Sequence, residues 1–382
     1  MLRTFALVIA AALGVAAACE LLLRLLPVSS ATLTGYYIDP AILSYPPGHQ
    51  WTTSSGWDLQ NSQRLRANNM GFVANHDFVP DASAVALIGD SFVEASMLDA
   101  VDRPDAQLER ALASARRVYA MGGPGSALLD YAERIRWSAR QFGTRDVVVM
   151  MERGDVRQSL CGSGNVHAAC LDPKALTPRI ETLTDGSGAK RLLRHSALAQ
   201  YLVSQLRLEP AALWRQAIKQ SRPVVTPTPT PEPVPAHVVV IPTKPAPSAG
   251  GAARPDMRIV DTVVERFFSR VDGQITGRLV IVLDADRARL RQRLPIDDPQ
   301  RLRFIERARA HGAIVVDTEP LYAAHYAQSS LRLEVGPHDA HLNRLGVEIA
   351  MAAAARALAG STLGSNAQLT IAPAGVALSG SR

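Results

Sequence analysis

The sequence predicts an α/β/α sandwich with a parallel sheet of about five strands. Five short apolar runs carry this prediction: residues 84–88 (AVALI), 117–121 (RVYAM), 146–151 (DVVVMM), 278–284 (RLVIVLD) and 313–317 (AIVVD). The runs are nearly continuously hydrophobic, as expected of parallel strands that are covered on both faces. Helical patterns separate the runs, and alternating strands and helices are typical of a parallel, flavodoxin-like sheet.

Helices are predicted between and after these strands. The apolar positions indicate helices at residues 103–115, 127–142, 257–271, 301–312 and 343–360. Because such sheets bind ligands beyond the carboxyl ends of their strands, we expect the functional site at that edge.

Residues 1–26 are interpreted as an N-terminal membrane anchor or signal segment. Arg3 and the terminal amine precede a mostly apolar run that continues past Cys19 to residue 26. A single-pass anchor needs about 20 apolar residues. Two alternatives are a signal peptide cleaved near residues 16–18 and a lipoprotein with lipid on Cys19. All three export the remainder, so we expect a domain on the periplasmic side of the inner membrane or, in the alternatives, a secreted protein or a lipoprotein.

Residues 27–360 are interpreted as one domain. Residues 28–80 show little periodicity and predict an irregular layer that wraps the sheet domain. The Pro- and Thr-rich run at 222–256 cannot form a packed core and predicts a disordered insertion. The sheet pattern resumes after this run, so the run lies within the domain. Residues 361–382 predict a flexible tail.

The composition disfavours several classes of ligand. The net charge is +6, but the basic residues are spread along the chain, which argues against nucleic-acid binding. The sequence has no dinucleotide fingerprint, no phosphate loop and no convincing metal set, so we expect no cofactor. Cys161 and Cys170 predict a small-loop disulfide in an oxidising compartment. A metal site with His167 as the third ligand is the alternative, and it lacks a fourth ligand.

The turn Gly89-Asp90-Ser91 ends the first predicted strand. A serine there, at the start of the next helix, presents its hydroxyl at the ligand-facing edge, and Gly89 leaves space for a tight turn. Backbone N–H groups at a helix start are not used by the helix and can stabilise an oxyanion. The plainer interpretation is that Asp90 or Ser91 only caps the helix.

A serine nucleophile needs a base that is itself oriented by a third group. The stretch VGPHDAHLNRLG, after the last strand, offers His341 as the base and Asp339 to orient it. His338 is the rival base. In the plainer interpretation Asp339 is a turn residue, Asn343 caps the last helix and the histidines are surface groups.

Four motifs together resemble a known family. IGDSFVEA, MGGPGS, ERGD and HDAHLNRLG follow the order and spacing of the sequence blocks of SGNH hydrolases, the GDSL-type esterases and lipases. The apolar start of the chain resembles that of membrane-anchored bacterial members. The resemblance implies that Ser91 is the nucleophile, His341 the base and Asp339 the third member of a triad. It also implies supporting roles for Gly89, Asp90 and Asp155.

The resemblance places an oxyanion hole at Ser91, Gly122 and Gly154, with Gly123 as a substitute for Gly122. The family usually has Asn followed by Asp in its third block. Here Gly154 stands at the Asn position, so the side-chain donor is absent unless a neighbour such as Arg153 replaces it. Asp339 lies two residues before His341, where the family commonly has three, a spacing similar to that of bacterial polysaccharide O-acetyltransferases.

The function implied is an exported serine esterase that removes O-acyl groups, such as acetyl, from an envelope or secreted carbohydrate. The expected partners are this acylated carbohydrate and the membrane, through the N-terminal segment. The alternatives are a polysaccharide O-acyltransferase that uses the same triad, and a non-catalytic carbohydrate-binding or assembly protein.

Overall fold

The computed structural model describes residues 2–30, 33–163, 169–181, 193–206, 208, 256–336 and 339–360. Its strands, numbered along the chain, are β1 (Gly35–Asp39), β2 (Ile42–Ser44), β3 (Gln50–Ser55), β4 (Gln60–Arg66), β5 (Val85–Gly89), β6 (Val118–Gly122), β7 (Asp146–Met151), β8 (Ala169–Leu171), β9 (Pro178–Ile180), β10 (Leu279–Leu283), β11 (Ile314–Asp317), β12 (Glu334–Gly336) and β13 (Asp339–Leu342).

The helices are α1 (Leu2–Arg24), α2 (Ser91–Glu94), α3 (Pro104–Ala111), α4 (Leu128–Phe142), α5 (Asp155–Gln158), α6 (Ala197–Gln200), α7 (Met257–Val271), α8 (Arg287–Arg291), α9 (Pro299–Ala310), α10 (Glu319–Gln328) and α11 (Arg344–Ala359). A short 3₁₀ helix covers Ala100–Asp102, and α6 continues as a π-helix over Tyr201–Gln205.

The predicted α/β/α sandwich is confirmed by a five-stranded parallel sheet in the order β11-β10-β7-β5-β6. The five predicted runs form these strands to within one residue at each end. The chain passes from β5 to β6 on one side and then to β7 on the other. The strand order therefore reverses between β5 and β7, which is where ligands bind in open α/β sheets.

Both faces of the sheet are buried, as the continuous apolar runs predicted. Alternate residues of each strand enter different cores: Ala86 and Ile88 of β5 pack with α4 and α7, whereas Val85 and Leu87 pack with α3 and α11. All five residues of β5 are buried. Because both faces lack solvent, neither needs polar residues, and the alternation typical of a half-exposed strand is missing.

Two predicted helices have different ends in the structure. The helix predicted at 103–115 ends at Ala111, because Ala113 and Ser114 adopt left-handed backbone angles with φ of 55°. The helix predicted at 301–312 begins earlier, at Pro299, where the Asp298 side chain accepts a hydrogen bond from the Arg301 N–H. In both cases the local chemistry of the helix end decided the boundary.

The N-terminal layer predicted at 28–80 contains two antiparallel hairpins, so it is more regular than its sequence indicated. Strand β1 pairs with β2, and β3 pairs with β4. Strand β4 (QNSQRLR) is mostly exposed and polar, so its sequence carries no clear alternation. The layer nevertheless has its own small core, in which Tyr45, Trp51 and Leu65 pack together.

The N-terminal helix stands apart from the sheet. Residues Arg3–Arg24 form a helix with mean hydropathy 2.4, none of which is buried in the fold. The helix is long and apolar enough to cross a membrane, and a signal sequence would have the same length and composition. The Pro-rich run up to residue 255 and the tail from residue 361 lie outside the described residues.

Candidate active site

Ser91 lies at the reversal point of the sheet. Strand β5 ends at Gly89, and Ser91 is the first residue of the short helix α2. Asp90 between them caps this helix, since its Oδ1 accepts a hydrogen bond from the Phe92 N–H at 2.8 Å. Asp90 can therefore cap the helix while Ser91 presents its hydroxyl at the edge of the sheet, so the two interpretations of this turn are compatible.

Two glycines allow the backbone of α2 to lie against the sheet. A Cβ atom on Gly122 would come within 2.3 Å of the Glu94 backbone nitrogen, and one on Gly89 within 2.7 Å of the Met150 carbonyl oxygen. Both obstacles are backbone atoms that cannot turn aside. Any side chain at either position would therefore push the Ser91 turn away from the ends of β6 and β7.

Ser91, His341 and Asp339 form one hydrogen-bonded chain. The Ser91 Oγ lies 2.8 Å from His341 Nε2, and His341 Nδ1 lies 2.6 Å from Asp339 Oδ1. The same Asp339 oxygen accepts the His341 backbone N–H at 3.0 Å. Because an ionised carboxylate only accepts, the proton on the neutral ring lies on Nδ1, and Nε2 is left to accept the Ser91 hydroxyl proton.

The histidine is held from two further sides. The Phe92 ring lies 5.0 Å from the His341 ring, centroid to centroid. The buried guanidinium of Arg287 lies over the Phe92 ring, 5.6 Å from its centroid, and donates a hydrogen bond to the Ala340 carbonyl. Arg287 also pairs with Asp284 at 3.3 Å. These contacts fix the strand that carries both Asp339 and His341, and the sequence motifs gave no sign of them.

A cluster of carboxyl groups lies beneath the Ser91 turn. Burial raises the pKa of Asp90 to about 6, although the Phe92 N–H and the His341 ring favour its charged form. Burial raises the pKa of Asp155 well above its usual range, and the charges of Asp90 and Glu152 add to this effect. Asp155 accepts hydrogen bonds from the Tyr131 hydroxyl and the Glu152 N–H, both at 2.9 Å. Burial and the neighbouring carboxylates therefore disfavour the ionised form of Asp155, whereas the hydrogen bonds from Tyr131 and the Glu152 N–H favour it.

A fully buried arginine holds the same turn from behind. Arg134 on α4 donates from Nη1 to the Gly89 carbonyl at 2.8 Å and to the Ser126 Oγ at 2.9 Å. Its Nη2 would lie 2.0 Å from a Cβ atom on Gly123. The guanidinium thus requires a glycine at 123, and it links the residue before Asp90 to the loop that follows β6.

The predicted oxyanion donors fare differently. Ser91 and Gly122 lie on adjoining backbone at the sheet edge. The Gly123 N–H, the predicted substitute for that of Gly122, donates to the Gly89 carbonyl at 3.2 Å. The Gly154 N–H, the third predicted oxyanion donor, donates to the Glu152 Oε2 at 2.5 Å in this structure. Arg153 does not replace the missing Asn, since it pairs with Asp286 at 2.8 Å.

Two other side chains fill the space beside Gly154. A Cβ atom there would lie 2.5 Å from the Gln158 Nε2 and 2.6 Å from the Glu152 Oε2. The absence of a side chain at 154 therefore lets an amide and a carboxylate enter the region that an Asn side chain would begin to occupy. A cavity of about 310 Å³ opens alongside, lined by residues that include Glu152, Arg157 and Phe304.

The other residues that the sequence analysis singled out, the two cysteines, His167, His338 and Asn343, either have structural roles or lie outside the residues that the structure describes. Cys161 and Cys170 are joined by a disulfide with an S–S distance of 2.11 Å, so neither thiol is free to bind a metal. His167, the third ligand in the metal alternative, and His338, the rival base, are outside the described residues. Asn343 caps α11, accepting the Gly346 N–H at 3.0 Å.

Comparison with solved structures finds remote likenesses to esterases. An alpha/beta hydrolase enzyme from the metagenome of Lake Arreo, Spain, is 14% identical with a TM-score of 0.36, covering 74% of this chain and 97% of its own. A carbohydrate acetylesterase from Sinorhizobium meliloti is 8% identical with a TM-score of 0.36, covering 72% and 98%. A member of the lipolytic protein G-D-S-L family from Veillonella parvula is 11% identical with a TM-score of 0.33, covering 72% and 96%.

No protein-family profile matches the sequence, and no curated protein matches it.

Proposed function

We propose that this chain is a serine esterase that works through an acyl-enzyme on Ser91. The observation that carries the proposal is the continuous chain from Ser91 Oγ through the His341 ring to Asp339, with contacts of 2.8 and 2.6 Å. A nucleophile within hydrogen-bond reach of a base, which a third group orients, is the arrangement that activates a serine hydroxyl.

In the proposed reaction Ser91 Oγ attacks the acyl carbonyl while its proton passes to His341 Nε2. Asp339 stabilises the resulting imidazolium. His341 then returns the proton to the departing alcohol oxygen, and the acyl group remains on Ser91 as an ester. A water molecule, deprotonated by the same nitrogen, attacks this ester and releases the acid.

For the oxyanion we propose the backbone N–H groups of Ser91 and Gly122. Removing one oxyanion donor typically costs about 2.7–4 kcal/mol of transition-state stabilisation. A site without the Asn side-chain donor at 154 would therefore be a slow esterase unless another group contributes. The amide of Gln158, which enters the space beside Gly154, is the group we propose for this role once Glu152 turns away.

The substrate we propose is an O-acyl, in particular acetyl, ester on an envelope or secreted carbohydrate. The triad side chains support access by a large substrate, because His341 and Asp339 retain 29% and 28% exposure. The lining of the neighbouring cavity includes the charged side chains of Glu152, Arg157 and Asp298 and the Gln300 amide, which can hydrogen-bond a hydroxyl-bearing ligand. A carbohydrate hydroxyl in place of water would make the same acyl-enzyme a transferase, which is the competing proposal.

The test compares the wild-type chain with Ser91→Ala and, as a matched control in the loop that follows α2, Ser96→Ala. Each is incubated with a fluorophosphonate probe and with a small acetyl ester, alone and with an oligosaccharide acceptor. We expect labelling and acetate release in the wild type and the control, and neither in Ser91→Ala. Acetyl transfer to the oligosaccharide would favour the transferase. Equal behaviour of wild type and Ser91→Ala would refute both.

A further inference from the structure

The end of the apolar helix is built into the folded domain. The Glu20 carboxylate on α1 accepts hydrogen bonds from the Ser196 hydroxyl at 2.8 Å, the Leu198 N–H at 2.9 Å and the Ala197 N–H at 3.1 Å. Arg24, one turn later, donates to the His195 carbonyl at 3.2 Å. The start of α6 is therefore capped by a residue of α1, although the two are far apart along the chain.

The same segment is fixed to the β3–β4 hairpin. The Gln205 amide donates to the Ser54 hydroxyl at 2.6 Å and lies 3.0 Å from the Ser29 hydroxyl. The Tyr201 hydroxyl donates to the Trp57 carbonyl at 2.7 Å, at the tip of the hairpin. The end of α1, residues 193–206 and the hairpin tip thus form one connected surface.

The hydrogen-bonding groups of Ser196, Tyr201 and Gln205 are bound within the fold, whereas several apolar side chains of this surface are exposed. We define the apron as the exposed apolar side chains of this surface, which are Leu25, Trp57, Leu193, Leu202, Val203 and Leu206. Trp57 is 72% exposed, Val203 53% and Leu25 83%. A cluster of this kind on a soluble surface usually marks an interaction site.

We propose that the apron rests in the surface of a lipid bilayer, with its apolar side chains below the level of the headgroups. This inference rests on the membrane anchor that the sequence predicts for residues 1–26. The occupant is lipid rather than another protein because the apron continues directly from a helix of membrane-spanning length. Trp and Tyr are enriched at the membrane–water interface, and Trp57 and Tyr201 are in contact at this level.

The charges nearby fit the same partner. Arg24 and Arg194 are exposed next to the apron, one at the end of α1 and the other at the start of the segment. Cationic side chains at this depth bind anionic headgroups, while apolar neighbours enter the acyl boundary by about 5–10 Å. A surface that combines both is the composition of an interfacial segment rather than of a protein-binding groove.

The apron also has a short connection to the candidate active site. The β3–β4 hairpin contacts the loop after α2: Asn61 donates to the Met97 carbonyl at 2.7 Å, and Gln63 donates to Asp99 at 2.9 Å. A single hairpin therefore lies between the lipid-facing surface and the loop that follows the nucleophile helix. The proposed contact would hold the open triad at a set height above the bilayer.

The test measures lipid contact directly on the full chain, reconstituted in vesicles of phosphatidylethanolamine and phosphatidylglycerol. In a Cys19→Ser background, single cysteines at Val203 (Val203→Cys) and at Leu302 (Leu302→Cys) carry an environment-sensitive fluorophore. Leu302 is the matched control, because it is an apolar side chain 64% exposed on α9, a helix of the sheet domain. A third label at Leu13→Cys reports insertion of α1.

We expect lipids brominated near the headgroup end of their chains to quench the label at 203 at least threefold more than the label at 302, and aqueous iodide to do the reverse. Equal iodide access at 203 and 302 would overturn the proposal if the label at 13 is quenched, because the anchor would then be inserted with the apron in water. A label at 13 that lipids brominated near the methyl end of their chains fail to quench would overturn it as well, since α1 would not be in the bilayer. None of these readouts depends on ester hydrolysis, so the esterase proposal stands or falls separately.

Discussion

Replacing Asp339 by Asn tests whether the carboxylate does more than hold a loop. The substitution keeps the shape of the side chain and removes its charge, 2.6 Å from His341 Nδ1. With an effective dielectric constant of about 20, unit charges about 4 Å apart interact by about 4 kcal/mol. Because both side chains keep more than a quarter of their exposure, solvent screening reduces this to about 2 kcal/mol, or about 30-fold.

The lost charge is only part of the expected effect. An Asn amide can donate to Nδ1, which leaves the ring proton on Nε2, where it blocks acceptance of the Ser91 proton. In Ser-His-Asp enzymes generally, this wrong tautomer brings the loss to about 10⁴-fold. We therefore expect Asp339→Asn to slow the reaction by between about 30-fold and about 10⁴-fold.

The assay is the rate of fluorophosphonate labelling, which reports serine activation without a known substrate. His341→Gln should abolish labelling, and His338→Gln is the matched control, since it removes the neighbouring histidine of the same motif. A loss below about threefold in Asp339→Asn would contradict the assignment, because removing the charge alone should slow labelling by about 30-fold. If His338→Gln lost as much labelling as His341→Gln, the assignment would also be contradicted, because His338 would then be the base.

Three further outcomes are expected. Glu152→Gln should speed labelling by about fivefold, because it removes a repulsion of about 1 kcal/mol between the Glu152 carboxylate and the negative charge that develops on the oxyanion. An unchanged or slower rate would contradict this expectation. Burial raises the pKa of Glu94 from 4.5 to about 7, so the folded state binds this proton more tightly, and stability is lost as pH rises from about 4.5 to about 7. Glu94→Gln should remove up to about 3 kcal/mol of the stability difference between pH 5 and pH 8 in urea unfolding, whereas the exposed-surface change Glu306→Gln should leave the difference intact. Arg134→Met should lower the free energy of unfolding by about 3 kcal/mol, since it strands buried acceptors, and the partly exposed Arg136→Met should lower it by less than about 1 kcal/mol; similar losses would show that Arg134 is not holding the Ser91 turn.

Much of the fold follows from local sequence patterns. A strand that is buried on both faces needs an apolar residue at every position, so the five strands of the sheet were visible as unbroken runs. The hairpins of the N-terminal layer left no such trace. Strand β4 exposes most of its residues, and its pairing with β3 depends on tertiary contacts that the seven residues of the strand do not contain.

For the candidate active site, too, some residues could be predicted from local sequence and others could not. Ser91 and His341 could be placed together because each was predicted to follow a strand of the parallel sheet, and the carboxyl ends of such strands meet at one edge. In the structure His341 lies on β13, which follows α10 and still reaches this edge. Arg134 and Arg287 could not be anticipated, since an arginine in a helix usually faces water. Their partners, the carbonyls of Gly89 and Ala340, lie 45 and 53 residues away along the chain. Which guanidinium is buried is decided by packing and not by the residue's own neighbours.

Only a few residues separate the apolar helix α1 from its contacts with the β3–β4 hairpin, and this limits how far the folded domain can move away from the helix. A flexible linker of n residues lets its ends separate by about 5–6 Å × √n. Here the chain meets the hairpin at once: the Ser54 hydroxyl donates to the Pro27 carbonyl at 2.7 Å, and the Ser30 N–H donates to the Thr52 carbonyl at 2.9 Å. With α1 in a bilayer, Ser91 would be confined to a thin layer parallel to the membrane instead of a sphere. The rate of ester hydrolysis would then depend on how many ester groups lie within that layer. The protein would reach them by diffusing laterally in the membrane and not by the motion of a flexible linker.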